Sequence, residues 1–163
     1  MPPNLLTAPR LRIVAYGTPA PQGSKRYVGN GVMIDQNASG LRTWREDVKL
    51  AALRALEEMP GWDRDYPALV GHFAFTLARP RNHYRTGKFA NVVQETAPYL
   101  HASRPDLDKL LRSTWDALTS AGVYRDDSRL AQVHAVKVYT SADADSNALD
   151  RPGARIVLTG VGR

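Results

Sequence analysis

The stretch from Arg104 to Ser128 constrains the fold more than any other part of the chain, because acidic residues stand at both ends of one strongly periodic segment. Asp106 stands where an N-cap residue is expected, and Gly122 stands where a left-handed residue would end a helix. Between them, apolar or small side chains recur at steps of three and four, the spacing of one helix face. These positions are Leu107, Leu110, Leu111, Thr114, Trp115, Leu118 and Ala121. The pattern predicts a helix from about Asp106 to Ser120, with the Asp106 side chain capping its first turn.

Three acidic side chains at the ends of this helix have the chemistry of a metal site. Asp106 and Asp108 open the helix, and Asp127 follows in the turn beyond its end. Carboxylates that come together repel unless a cation neutralises them, and Mg²⁺ prefers oxygen ligands. A helix of this length spans about 22 Å, so Asp127 can join the pair only if the chain after Gly122 turns back. Ordinary helix and turn caps remain the alternative interpretation.

Basic side chains on the same helix are candidates for holding a phosphate. Arg112 follows Asp108 by one turn on the same face, and a guanidinium can bind phosphate through two parallel hydrogen bonds. Lys109 is a weaker candidate for DNA contact. We expect Asp116 to pair with Arg112 or to be a buried structural acid, rather than to bind metal.

Length and charge set the broad class of protein. The 163 residues predict one domain, 1–163, and 22 Lys+Arg against 16 Asp+Glu give a net charge of +6. This balance favours an anionic partner, with nucleic acid ahead of a membrane surface. The sequence contains no cysteine, which excludes disulfides, thiolate zinc sites and cysteine nucleophiles. Because no apolar run approaches about 18 residues and no signal segment is evident, we expect a cytoplasmic protein with no membrane partner.

The rest of the chain alternates between strand-like and helix-like segments. A further helix is predicted from a capping box at Thr43–Glu46 to about Glu58. Strands are predicted at 11–17, 68–77, 130–139 and 154–159, with the second of them central, and a hairpin at 25–34 with a glycine-rich turn. The loops 79–103 and 141–153 separate them. Two helices among these strands predict an α+β fold, in which a mixed sheet carries both main helices largely on one face.

Two basic segments are candidates for binding a DNA backbone. Lys25 and Arg26 follow a Gly-Ser turn, and the loop 79–103 begins with a basic run in which Tyr84 could stack on a base. The basic side chains of that run are Arg79, Arg81, Arg85 and Lys88. An ordinary solvated loop is the alternative. We expect His83 and His101 to be surface or hydrogen-bonded histidines, and the three tryptophans to be core or interface residues.

The acidic helix and its flanks resemble the RusA family of Holliday junction resolvases, especially the forms carried by phages and prophages. The similarity lies in Arg104-Pro-Asp-Leu-Asp-Lys-Leu-Leu-Arg112, Asp116-Ala-Leu118 and Gly122-Val-Tyr-Arg-Asp-Asp-Ser128. The segment from Pro19 to Lys25 and the loop from Arg79 to Lys88 are also similar to phage versions. Together these segments cover about half of the chain.

The resemblance implies a homodimeric, Mg²⁺-dependent endonuclease, with Mn²⁺ able to substitute, that nicks opposing strands of four-way DNA junctions in recombination, repair or phage DNA processing. By motif position, Asp106, Asp108 and Asp127 are the catalytic metal ligands and Arg112 replaces the family's essential lysine. Lys109 stands where an asparagine is common. Arginine keeps the positive charge but is a poor proton donor.

Three alternatives stay open at this stage. Asp126 could replace Asp127 if the turn is shifted. The protein could be a nuclease with broader specificity for branched or flap DNA. It could also be a catalytically silent DNA-binding protein whose acids only cap a helix.

Overall fold

A four-stranded mixed sheet forms the centre of the computed structural model, which describes residues 5–23, 25–35, 37–142 and 147–162. Its strands are β1 (Arg10–Tyr16), β4 (Ala68–Leu77), β5 (Leu130–Tyr139) and β6 (Gly153–Val161), in the order β1-β6-β4-β5. Strand β4 is central, as predicted; it pairs in parallel with β5 and antiparallel with β6, which also pairs with β1. Strands β2 (Lys25–Gly29) and β3 (Val32–Asp35) form a separate hairpin.

Two helices, α1 (Ala38–Glu58) and α2 (Leu107–Ala121), pack on the sheet and on each other. In β1 every second side chain is buried, and these side chains join the core that also contains Trp44 and Leu118. The indole Nε1 of Trp44 donates to Thr114 Oγ1 at 3.2 Å, so a buried hydrogen bond links the helices. This architecture confirms the α+β prediction.

Helix α1 begins earlier than the sequence pattern indicates. Its N-cap is Asn37, whose side-chain oxygen accepts a hydrogen bond from Gly40 N at 3.1 Å. Thr43 lies inside the helix, where its hydroxyl donates to Ser39 O at 3.1 Å. The predicted capping box at Thr43–Glu46 is therefore wrong, because an earlier asparagine already satisfies the first turn.

Helix α2 matches its predicted limits to within one residue at each end. Gly122 ends it in the left-handed region with a φ of 76°, as expected. Asp106 occupies the N-cap position but makes no side-chain capping bond; its carboxylate pairs instead with Lys109. The predicted capping role of the Asp106 side chain is therefore wrong.

Replacing Gly122 by alanine should lower the free energy of unfolding by about 1–2 kcal/mol, because only the left-handed backbone opposes a Cβ there. No heavy atom outside the adjoining residues lies within 4 Å of the position that this Cβ would take. Gly61 has equally open surroundings but no left-handed φ, so Gly61→Ala is the matched control and should stay within about 0.5 kcal/mol of wild type. Urea denaturation of both variants measures this; equal effects would contradict the argument.

The remaining sequence predictions fall on loops and on the hairpin. The hairpin turn is formed by Asn30 and Gly31, both with positive φ, as the glycine-rich sequence predicts. Ser24, from the predicted Gly-Ser turn, and residues 143–146, from the predicted loop 141–153, lie outside the described residues. No helix in the described part of the chain is both long enough and apolar enough to cross a bilayer.

Candidate active site

The N-terminal end of α2 is held in place by a lysine from the neighbouring strand. Lys137, near the end of β5, donates through Nζ to Ser103 O at 2.6 Å and to Pro105 O at 2.7 Å. Two carbonyl acceptors on one ammonium fix the approach of the chain to Asp106. Sequence reasoning missed this positioning residue, because a lysine in an alternating strand carries no signal of what it contacts.

Asp106 and Asp108 are both exposed at this end of α2. Lys109 Nζ lies 3.2 Å from Asp106 Oδ2, an ion pair between a half-buried lysine and an exposed aspartate one turn apart. The helix N-terminus adds a favourable partial positive charge for the two carboxylates. Both predicted acids therefore lie at the solvent-exposed start of α2, with a positive side chain beside Asp106.

Arg112 follows on the same surface and lies beside the loop that precedes β2. This loop is attached to α2 by two hydrogen bonds, from Gln22 N to Lys109 O at 3.0 Å and from Ser113 Oγ to Ala20 O at 2.7 Å. The Nη1 atom of Arg112 lies 3.9 Å from the position that a Cβ on Gly23 would take. The exposed guanidinium thus stands between the acidic pair and the base of the hairpin.

Asp127 lies at the opposite end of α2. The turn after the helix is tied to residues beyond α1, because Trp62 Nε1 donates to Val123 O at 2.8 Å and Arg125 pairs with Asp65. Asp127 then precedes β5, whose far end carries the Lys137 that holds the start of α2. A fifteen-residue helix separates the two ends by about 22 Å. The chain turns back as β5 beyond Asp127, so this aspartate does not reach Asp106.

The buried Tyr124 gives a second measure of where Asp127 lies. Its hydroxyl donates to Trp115 O at 3.2 Å, along the C-terminal half of α2. Burial raises the pKa of Tyr124, and the negative charge of Asp127 raises it further. Asp127 is therefore close enough to this half of the helix to act on Tyr124 electrostatically.

Asp126 and Asp127 differ in what their carboxylates do. The Asp126 side chain accepts a hydrogen bond from Ser128 N at 2.9 Å and caps the short 3₁₀ turn that follows. Hydrogen bonding from the Ser128 side chain, and then from its backbone N–H, lowers the pKa of Asp126. The carboxylate of Asp126 is thus used within its own turn, which favours Asp127 as the acid available for other chemistry.

Within one chain, the three predicted aspartates do not form a single site. Among the described residues, no group of three or more Asp, Glu or His side chains is placed to hold a metal ion. Asp106 and Asp108 still offer the hard oxygen ligands that Mg²⁺ accepts, and Mg²⁺ commonly takes only one or two carboxylates and completes its shell with water and phosphate. The acidic pair therefore fits a divalent cation, and Asp127 belongs to a different surface of the chain.

Asp116 lies farther along α2 and pairs with α1. Its Oδ2 atom is 3.8 Å from Arg45 Nη2, and both side chains are about one-third exposed. The ion pair expected with Arg112 is therefore replaced by one with Arg45, and the acid is not buried. Arg112 keeps its exposed position beside the hairpin.

The side chains of the basic loop 79–103 divide into structural and exposed groups. Arg79 donates to Pro98 O at 2.8 Å and to Thr140 O at 3.3 Å, and its guanidinium stacks over the Tyr139 ring, so it holds the loop to the sheet. Arg85 pairs with Glu95 at 3.3 Å. Arg81 and Lys88 are exposed and are the better placed of the four for contact with DNA.

The two histidines of this region pack against the same ring. His83 and His101 lie with ring centroids 4.9 Å and 4.7 Å from that of Tyr139. Burial, and then the charge of Lys137, lowers the pKa of His101. Both are half-buried packing residues at the foot of the loop. His83 Nδ1 lies 3.5 Å from Arg79 Nη1, whereas the buried Nδ1 of His101 has no hydrogen-bond partner among the described residues, so the expectation of a surface or fully hydrogen-bonded histidine is not met at His101.

Comparison with protein families gives a match over most of the chain. A family model described as endodeoxyribonuclease RusA matches residues 16–144, a range that includes the hairpin, the basic loop, α2 and Asp127. A search of curated proteins finds no match.

Proposed function

We propose that this chain, which belongs to the RusA family of endodeoxyribonucleases, resolves four-way DNA junctions by paired nicks in opposing strands, with Mg²⁺ as its metal and Mn²⁺ able to substitute. Members of this family are DNA-cleaving hydrolases, which argues against the alternative of a DNA-binding protein without catalytic activity. The observation that carries the finer proposal is the exposed pair Asp106 and Asp108, beside Arg112, inside the matched region.

Nucleases of this family generally depend on a divalent metal. Asp106 and Asp108 would hold it. When bound, such an ion supplies an activated water and stabilises charge on the phosphate oxygens. Lys109 lies beside Asp106 and offsets part of the negative charge of the two acids. Arg112 is placed to bind the scissile phosphate and to fix its orientation toward the acidic pair.

A second copy of the chain would bring Asp127 to the acidic pair. The two ends of α2 lie too far apart within one chain, but two α2 helices that run antiparallel across a two-fold axis place the end of one beside the start of the other. Each site would then contain Asp106 and Asp108 from one subunit and Asp127 from its partner. Two-fold symmetry also supplies the two sites that paired nicks require.

The exposed basic side chains would hold the arms of the junction. Arg81, Lys88, Lys25 and Arg26 are all exposed, and the chain carries a net charge of +6. Contacts of this kind bind phosphates without reading sequence and make affinity fall steeply with salt. Arg79 contributes by fixing the loop rather than by contacting DNA.

Cleavage of matched synthetic substrates tests the proposal. We expect a four-way junction to be cut in opposing strands with Mg²⁺ or Mn²⁺, to remain intact with EDTA, and to be cut faster than three-way, flap and linear substrates with the same sequences. Equal rates on four-way, three-way and flap DNA would instead favour a nuclease of broader branched-DNA specificity. Cleavage in EDTA would contradict a metal-dependent site.

A further inference from the structure

The hairpin of β2 and β3 carries an unusual amount of exposed apolar surface. Tyr27 and Met33 are 63% and 52% exposed, and between two-fifths and half of the surface of three neighbouring side chains is also open to solvent. These are Val28, Val32 and Ile34. A two-stranded hairpin alone is only marginally stable in water, and this one leaves its apolar side chains uncovered. Such a hairpin is suited to being covered by a binding partner.

The pairing register places apolar side chains on both faces of this ribbon. Tyr27 stands opposite Met33 on one face, and Arg26 stands opposite Ile34 on the other. The Tyr27 hydroxyl accepts a hydrogen bond from Gly31 N at 3.4 Å, so the tyrosine side chain extends toward the turn. The result is a narrow ribbon with a flat aromatic ring and a thioether near its tip.

The hairpin of β2 and β3 begins directly beside the candidate active site. The loop before it is hydrogen-bonded to α2 through Ala20 and Gln22, and the Arg112 guanidinium lies on the open side of Gly23, 3.9 Å from the position that a Cβ there would take. Lys25 and Arg26, both exposed, stand at the base of β2. The hairpin therefore has positive side chains at its foot, next to the arginine proposed to bind phosphate, and apolar side chains at its tip. In DNA the charged phosphates likewise lie outside and the apolar base faces lie inside.

We infer that the hairpin is a wedge that enters the branch point of the DNA substrate, where Tyr27 and Met33 stack on base faces opened there. This inference rests on the proposed function of the same site. Charge complementarity selects DNA as the occupant, because Lys25, Arg26, Lys109 and Arg112 all stand at the foot of the hairpin. Aromatic and apolar side chains of this kind stack on bases or part a base step. A branch point opens more readily than a continuous duplex, so the hairpin favours branched over linear DNA.

Fluorescence of a junction with 2-aminopurine next to the branch point tests the wedge without requiring cleavage. Binding is measured in Ca²⁺ and in EDTA for wild type, for the double variant Tyr27→Ser/Met33→Ser, and for Leu50→Ser. Leu50 is a matched control on α1 with a 51% exposed apolar side chain. We expect wild type and the control to raise the fluorescence, and the double variant to lose most of that rise. The ratio of junction to duplex affinity should fall about tenfold in the double variant, while duplex affinity stays unchanged.

Different outcomes separate the wedge from the proposed function. The wedge alone is overturned if wild type cuts junctions without raising the 2-aminopurine fluorescence. It is also overturned if the double variant keeps both the fluorescence increase and the wild-type ratio of junction to duplex affinity. A double variant that becomes monomeric in size-exclusion chromatography while wild type is dimeric also overturns it, because the hairpin is then a protein interface. Wild type that shows the rise but never cuts overturns the proposed function and leaves the wedge standing.

Discussion

Asp108→Asn should reduce cleavage of a four-way junction by at least about a hundredfold while leaving binding of the same junction intact. The substitution removes one charge from the two exposed acids but keeps the size of the side chain. Among the described residues, the Asp108 side chain takes part in none of the hydrogen bonds that hold α2 to its neighbours. Those contacts come from Lys137, Gln22 and Ser113. Nicking assays with Mg²⁺ and gel shifts in EDTA measure the two effects separately.

Asp116→Asn is the matched control for this loss. It makes the same chemical change on the same helix, two turns farther on, where the carboxylate pairs with Arg45. We expect cleavage by this variant to stay within about threefold of wild type, since an exposed ion pair contributes at most about 1 kcal/mol. Equal losses in the two variants would show that charge along α2 matters in general and that Asp108 has no special place at the site.

The fold was predictable wherever the sequence pattern depends on local chemistry. Helix α2 follows from its apolar spacing and Gly122, and β4 from a run rich in apolar and aromatic residues. The start of α1 was missed because Thr43 and Glu46 match a capping box inside a helix that Asn37 already caps. Two adequate caps compete in such a segment, and only the packed structure shows which one is used.

The site was only partly predictable, because it depends on how distant segments meet. Asp106 is the N-cap of the helix that carries Asp108 and Arg112, and the four-residue step from Asp108 to Arg112 alone places those two on one face. The distance to Asp127 depends on β5 running back beside β4, and the role of Lys137 depends on the same pairing. The sequence indicates that Asp127 can reach Asp106 only if the chain after Gly122 doubles back, but it does not determine the path that the chain takes.

Mixing two inactive subunits should restore cleavage if Asp127 completes the site of the partner. Asp106→Asn and Asp127→Asn should each be inactive as homodimers. In a heterodimer of the two, one site would take its acidic pair from the Asp106→Asn subunit and its position 127 from the Asp127→Asn subunit, so it would carry both substitutions. The other site would take its acidic pair from the Asp127→Asn subunit and its Asp127 from the Asp106→Asn subunit, so it would carry none. Heterodimers purified through two different affinity tags should therefore nick at about half the wild-type rate and make single rather than paired nicks.

A heterodimer of Asp106→Asn and Asp108→Asn is the control, since these two changes fall in the same part of the site and leave neither site whole. It should stay inactive although it is assembled in the same way. If the first heterodimer is also inactive while both still bind junctions, Asp127 does not act across the dimer. A site built within one chain would then require the turn from Gly122 to Asp127 to move by most of the length of α2, against the contacts that Trp62 and Asp65 make with it.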